Sequence, residues 1–194
     1  MFDAALSFVL DQEAGYNPDD PSYRGILQST YDTYRRAHGF PVQDVRRITD
    51  PELRAIYDVQ YWQASGAADL DANGNTALAL IVFDTAVNLG VGTAKSLRAA
   101  SGDDPLLYLT LRRQRYQSIA QANPVKAKNL DGWLARVNDL QAAVGTLLVT
   151  DQGSGGSTPP GPAQAGLGGP LGILLALGVV GALFFRGTLR GFLR

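Results

Sequence analysis

The composition of this chain changes abruptly after Thr150, and this change limits which part of it can fold. Residues 151–169 are almost all Gly, Ser, Pro, Thr, Ala and Gln, which cannot bury a core and therefore predict a flexible linker. Residues 1–150 instead carry apolar side chains at helical spacing. With 45% hydrophobic residues in a chain of 194, one sizeable core can be buried. We expect a mainly α folded part followed by appendages.

The apolar run LGILLALGVVGALFF follows the linker and is bounded by arginines. It covers residues 171–185, about 15 residues, whereas a bilayer core asks for roughly 20. Uncharged residues upstream from Ala163, together with a snorkelling Arg186, would lengthen the apolar span. We therefore predict that residues 170–194 form a C-terminal transmembrane helix with a basic tail, which anchors the chain in a membrane as a single-pass protein.

Several classes of site are excluded by the residue types present. The chain has no cysteine and one histidine, which argues against disulfides, thiol nucleophiles, Ser-His triads and zinc sites. A net charge of −1 gives no basic excess for nucleic acid. Residues 69–75 resemble the front half of a calcium loop, but Leu80 stands where the closing glutamate would be, so we predict a turn there. We expect no metal, no cofactor and no nucleic-acid partner.

The first helix is predicted to end on a carboxylate, Glu13. Apolar residues precede it at helical spacing: Phe2, Ala5, Leu6, Val9 and Leu10. Gly15 then stops the helix, and both the helix dipole and apolar neighbours would favour a protonated carboxyl at its C-terminal end. Such a group can act as the general acid for a glycosidic bond. The alternative is a solvated glutamate at a fraying helix end.

Caps and Gly or Pro breaks predict the remaining helices. Thr49, Asp50, Pro51 and Glu52 combine a capping box with proline at the first helical position. The predicted helices cover residues 29–38, 49–62, 76–88, 93–100, 104–122 and 132–148.

Sequence motifs along the chain resemble glycoside hydrolase family 108, the phage and bacterial N-acetylmuramidases. They are EAGY at 13–16, Asp20-Pro21, Gly25-Ile26, ITDPELRAIYDVQYW at 48–62, ALIVFDTAVNLG at 79–90, and then RRQRYQSIAQANP and LDGWLARV. The resemblance implies a lysozyme-like helical fold, peptidoglycan as substrate and Glu13 as general acid. It also implies a lysozyme-like catalytic part at residues 1–92, with a helical peptidoglycan-binding part at 93–150 packed on it.

The chain departs from the family pattern between Glu13 and Gly25, where it is shorter and lacks the G-G-x-T portion. In related phage-type lysozymes, an acidic residue and a threonine in this region are thought to position the attacking water. Asp20 is the best counterpart of the acidic residue, with Asp19 as runner-up, and Ser22 is the one substitute for the threonine. Alternatively, both aspartates simply form turns.

Five residues are predicted to bind sugar: Tyr16, Tyr23, Trp62, Asn88 and Trp133. Tyr61 and Trp62 are adjacent and cannot both face one core from a helix, so one of them is expected to border the groove. Asn88 either binds sugar or joins two helices by a structural hydrogen bond. Arg112, Arg113, Arg115 and Tyr116 form a predicted basic face beside Trp133 and Arg136, which suits carboxylated sugars but is also typical of a solvated helix face.

We therefore expect a membrane-tethered, phage-encoded glycosidase that cleaves the β-1,4 bond between N-acetylmuramic acid and N-acetylglucosamine. The alternatives are a lytic transglycosylase that uses Glu13 alone and a non-catalytic wall-binding or virion structural protein. Three arginines after the span favour a cytoplasmic C-terminus, yet the acidic N-terminus does not resemble an export signal. The enzyme would thus lie in a virion membrane, beside other virion proteins, or at the bacterial inner membrane.

Overall fold

The computed structural model describes residues 1–13, 15–17 and 21–153, with side chains described up to residue 148. Within these ranges the chain is mainly helical, as predicted. The helices are α1 Phe2–Gln12, α2 Gln28–Ala37, α3 Asp50–Tyr57, α4 Ala67–Ala72, α5 Thr76–Leu89, α6 Val91–Ser101, α7 Pro105–Ala122, α8 Pro124–Ala127 and α9 Leu130–Gly153. The other elements are strands β1 Tyr16–Asn17, β2 Ser22–Tyr23 and β3 Ile26–Leu27, a 3-10 turn at Val45–Arg47 and a π-helical segment at Asp58–Gln63.

The three strands form a small antiparallel sheet in the order β1-β2-β3, with Tyr16 opposite Tyr23. Gly25 turns the chain between β2 and β3 with φ 76°, a conformation that favours glycine. A Cβ at this position would lie 2.3 Å from the Tyr57 hydroxyl and 3.1 Å from Cγ of Glu13. The sheet therefore lies directly against both Glu13 and α3.

Helix α3 begins with the predicted capping box. The Thr49 side chain accepts from the backbone N–H of Glu52, and the Glu52 carboxylate accepts from the backbone N–H of Thr49. The helix becomes π-helical after Tyr57, so the predicted helix over 49–62 exists but changes its hydrogen-bonding pattern part-way. A π segment of this kind is uncommon and frequently lies at a functional site.

Helix α5 runs through the centre of the fold. Every residue from Ala77 to Ala86 is buried, so this helix is apolar on all sides except where Asp84 and Thr85 interrupt it. Helices α1, α4, α6, α7 and α9 pack against it. Residues 1–92 and 93–150 consequently contribute to a single hydrophobic core.

Two sequence predictions need correction at element boundaries. Helix α4 occupies Ala67–Ala72, so the turn predicted over 69–75 is confined to its end, where Gly74 has φ 78°. Helix α9 continues to Gly153, so the first residues of the predicted linker are helical. The rest of the linker and the predicted anchor at 170–194 lie outside the described residues. Among the helices that are described, none is both long and apolar enough to cross a bilayer.

Candidate active site

Glu13 caps the C-terminal end of α1, as the sequence predicts. Its backbone N–H donates to the carbonyl oxygen of Leu10 at 3.2 Å, and Gly15 follows with φ 81°. The glycine conformation ends the helix and turns the chain into β1. The Glu13 side chain retains 25% exposure, so its carboxylate is accessible to solvent at the helix end.

An arginine 123 positions later in the chain holds this carboxylate. Nη1 of Arg136, on α9, donates to Oε1 of Glu13 at 2.7 Å, and the Arg136 side chain is only 8% exposed. The expected surroundings of Glu13 were apolar, and the structure instead places a guanidinium group there. No other hydrogen bond to Glu13 is present among the described side chains, so Oε2 is left for a proton or a substrate.

The same arginine is fixed from its other side by Asp84. Nε and Nη2 of Arg136 donate to Oδ1 of Asp84 at 3.0 and 2.7 Å, and Nη2 of Arg112 lies 2.6 Å from Oδ2. Asp84 and Arg112 are fully buried. Although burial opposes its charged form, pairing with Asp84 and Glu13 raises the pKa of Arg136 above its ordinary value. We call Glu13, Arg136, Asp84 and Arg112 the arginine network, in which carboxyl and guanidinium groups alternate.

The network continues into a patch of polar and aromatic contacts. Arg112 donates to the Tyr116 hydroxyl at 3.0 Å, and that hydroxyl donates to Oδ1 of Asn88. The ring of Trp133, which is half-buried, stacks on Tyr116 with centroids 5.1 Å apart. Asn88 thus makes the structural hydrogen bond that was one of its two predicted roles. Its role in binding sugar, like that of Trp133, stays a prediction.

The predicted basic face on α7 does not exist as such. Arg112 and Arg136 point into the core, where they pair with acidic residues, so neither is available to a carboxylated sugar. Arg113 stays at the surface and bonds Asn138 and Gln141.

The structure places Tyr61, rather than Trp62, on the outer side of its helix. Trp62 is 4% exposed and packs against Phe2 and Phe83, with ring centroids 5.5 and 5.3 Å apart. A ring enclosed in this way cannot stack on a sugar, so the prediction of Trp62 as a sugar-binding residue is wrong. Tyr61 is half-buried, and its ring centroid lies 5.6 Å from that of Tyr57.

The remaining sugar-binding candidates lie on the sheet beside Glu13. Tyr16 is 41% exposed, with the Arg46 guanidinium 5.0 Å from its ring centroid, and Tyr23 is half-buried opposite it. Their contact with substrate stays a prediction. Asp19 and Asp20 lie outside the described residues.

Within the described part of the chain, Glu13 lies neither in a cluster of metal-binding side chains nor in the cavity described below. Among the described residues no group of acidic or histidine side chains could hold a metal ion. A cavity of about 710 Å³ lies between the start of α4 and α6 and is lined by Ser65, Asp69, Lys95 and Arg98, among others, without any member of the arginine network.

A family model matches the part of the chain that contains Glu13. Residues 6–90 match the family model described as Glycosyl hydrolase 108. Residues 6–90 are a glycosyl hydrolase 108 domain. The chain is accordingly a glycoside hydrolase, and its domain is that of a peptidoglycan-hydrolysing glycosidase. Searches of curated proteins and of solved structures each found no match.

The glycosyl hydrolase 108 match ends before two members of the arginine network. Glu13 and Asp84 lie within residues 6–90, whereas Arg112 and Arg136 lie beyond them. Sequence reasoning placed both arginines at the surface. Asp84 was the sequence signal that could have revealed these buried ion pairs. A lone carboxylate in the apolar run ALIVFDTAV must be paired if it is buried.

Proposed function

We propose that this glycosidase cleaves the β-1,4 bond between N-acetylmuramic acid and N-acetylglucosamine, with Glu13 as the general acid. One observation supports this most: in a glycosyl hydrolase domain, Glu13 is the carboxylate of the arginine network that reaches solvent. Asp84, its other carboxylate, is fully buried between two arginines and has no access to a sugar.

The position of Arg136 suits proton donation. While Oε1 of Glu13 accepts from Arg136, Oε2 carries the proton that passes to the glycosidic oxygen as the bond from that oxygen to the anomeric carbon breaks. Negative charge then develops on Glu13, and the guanidinium 2.7 Å away stabilises it. Because Asp84 binds the same guanidinium, the cation is already in place before the reaction starts.

A hydrolase also needs a group that directs water to the anomeric carbon. In inverting enzymes the second carboxyl stands about 6.5–9.5 Å from the acid to leave room for that water. Asp20 is our candidate, with Asp19 as runner-up, because both follow Glu13 closely in the chain.

A lytic transglycosylase is the second candidate function. In that reaction the C6 hydroxyl of the muramic acid attacks its own anomeric carbon, so one carboxyl group is enough. The exposed Glu13 beside an inaccessible Asp84 is compatible with such single-carboxyl chemistry.

Mass analysis of digested bacterial walls tests the two functions. We expect the purified chain to release fragments with reducing ends, and Asp20→Asn to lower the rate about 10²-fold or more. Fragments with 1,6-anhydro ends, together with wild-type rates in Asp20→Asn, would establish the transglycosylase. A purified wild-type chain that binds walls but releases no fragments would contradict both and leave a non-catalytic role.

We further propose that residues 170–194 tether the enzyme to a membrane through the linker at 151–169. The apolar run and its basic flank support this, and a virion membrane or the bacterial inner membrane would place a phage-encoded enzyme near the wall. The full chain should float with lipid vesicles, whereas a chain that ends at Gly153 should stay in solution with its wall-cleaving activity intact. Aggregation of the shortened chain would show that the tail belongs to the fold.

A further inference from the structure

The π-helical segment at Asp58–Gln63 directs two adjacent aromatic residues to opposite sides. Trp62 enters the core between Phe2 and Phe83. Side chains of neighbouring helical residues diverge strongly, so Tyr61 must point away from that core contact. It shares its side of the helix with Tyr57, at a centroid distance of 5.6 Å.

This side of the helix faces the catalytic glutamate. A Cβ on Gly25 would lie 2.3 Å from the Tyr57 hydroxyl and 3.1 Å from Cγ of Glu13, so Tyr57 and Glu13 are separated by little more than the Gly25 backbone. Tyr61 follows one turn later. Burial, and then the charge of Glu13, raise the pKa of Tyr61, which keeps its hydroxyl protonated as a donor.

The hydroxyls of these two tyrosines differ in their partners. The Tyr57 hydroxyl donates to the carbonyl oxygen of Arg24 at 2.9 Å, and the Tyr57 side chain is buried. The Tyr61 hydroxyl has no hydrogen-bond partner among the described residues. It is also not one of the fully enclosed polar atoms in this part of the chain, so it is not sealed from solvent. Its ring packs on the core, so its position is fixed while its polar end stays available.

We propose that Tyr61 is a substrate-binding residue of the glycosidase site, whose hydroxyl hydrogen-bonds a hydroxyl or N-acetyl group of the sugar at Glu13. This inference rests on the proposed function of Glu13. The sequence predicts that either Tyr61 or Trp62 borders the groove, and we assign that position to Tyr61. The fixed ring adds an apolar edge against which a sugar can lie.

The test compares tyrosine-to-phenylalanine changes, which remove one hydroxyl and keep the ring. Binding of a soluble tetrasaccharide of alternating N-acetylglucosamine and N-acetylmuramic acid is measured in full-length protein carrying Glu13→Gln, so that cleavage does not interfere. Tyr61→Phe should weaken binding about 3- to 10-fold with an unchanged unfolding midpoint. Tyr34 is a half-buried tyrosine whose ring lies against that of His38, and Tyr34→Phe is the control that should leave the affinity unchanged.

Tyr57→Phe is the variant that should lose stability, in contrast to Tyr61→Phe. It leaves the Arg24 carbonyl without its donor, so the unfolding midpoint should fall. The inference is overturned if Tyr61→Phe binds the tetrasaccharide as tightly as its parent, or if its affinity falls only together with its unfolding midpoint. If wild-type protein cleaves no walls but Tyr61→Phe still weakens binding, the glycosidase proposal fails while the sugar contact stands.

Discussion

Glu13 and Glu52 are both glutamates paired with an arginine, yet their surroundings differ in one decisive respect. Glu52 is enclosed by donors: Tyr31 and both the N–H and hydroxyl of Thr49 donate to Oε2, and Arg35 donates to Oε1. Its side chain is 11% exposed. Among the described residues Glu13 has one such donor, Arg136, and its side chain is 25% exposed.

The difference separates a structural carboxylate from the one that we propose as the general acid. Every donor around Glu52 belongs to the capping box or to α2, so that carboxylate stabilises the start of α3 and has no capacity for a substrate. At Glu13 the single arginine fixes the carboxylate while one oxygen stays open. A general acid needs that combination of a fixed position and a free oxygen.

Asp84→Asn should have the largest effect on stability, because it removes the anion that both arginines of the network share. Two buried guanidinium groups would then face each other with only Glu13 as counter-charge, and we expect a loss of about 3–5 kcal/mol in the free energy of unfolding. Urea unfolding measures this loss. A change below about 1 kcal/mol would show that the network is solvated rather than buried.

Glu52→Gln should cost less, about 1–3 kcal/mol, because neutral donors can partly rearrange around the amide. Although burial opposes ionisation, hydrogen bonds from Thr49 and Tyr31, together with Arg35, lower the pKa of Glu52. This stabilisation is present above the unfolded-state pKa, about 4.3, and is lost as pH falls through the lower folded-state value. The stability gap between wild type and Glu52→Gln should therefore narrow in acid, and a gap that stays constant down to about pH 2 would contradict this.

Arg136→Lys should have the smallest effect of these three substitutions. It tests the role of the arginine that binds Glu13. A lysine keeps the charge but cannot contact Asp84 and Glu13 at once, as the arginine fork does. Glu13 then loses its fixed position, and wall cleavage should fall about 10-fold. Arg113→Lys, at the surface, is the control; equal rates of wall cleavage in the two variants would exclude the proposed role of Arg136.

Local signals in the sequence predicted much of the fold. The capping box at Thr49 and the glycine stop after Glu13 each depend on a few neighbouring residues, and each is present in the structure. The helix predicted over residues 76–88 is present as α5, Thr76–Leu89.

Local sequence signals of this kind could not predict contacts between residues that are far apart in the chain. Arg136 and Glu13 are 123 positions apart, and nothing local to Arg136 distinguishes a core ion pair from a solvated helix face. The choice between Tyr61 and Trp62 depended on which residue found partners in α1 and α5, and Phe2 and Phe83 supplied them for Trp62. Tertiary packing, rather than helix propensity, decided both cases.

The most direct test of this account is wall cleavage by Glu13→Gln beside Glu52→Gln. Both changes replace a carboxyl by an amide of the same shape next to an arginine, so they differ in the site rather than in the chemistry of the substitution. We predict that Glu13→Gln abolishes release of wall fragments by several orders of magnitude while the protein stays folded, because the proton donor is gone. Glu52→Gln should lose stability but cleave walls at close to the wild-type rate at temperatures where it is folded. Wall cleavage by purified Glu13→Gln at more than a small fraction of the wild-type rate would contradict the assignment of Glu13 as the general acid.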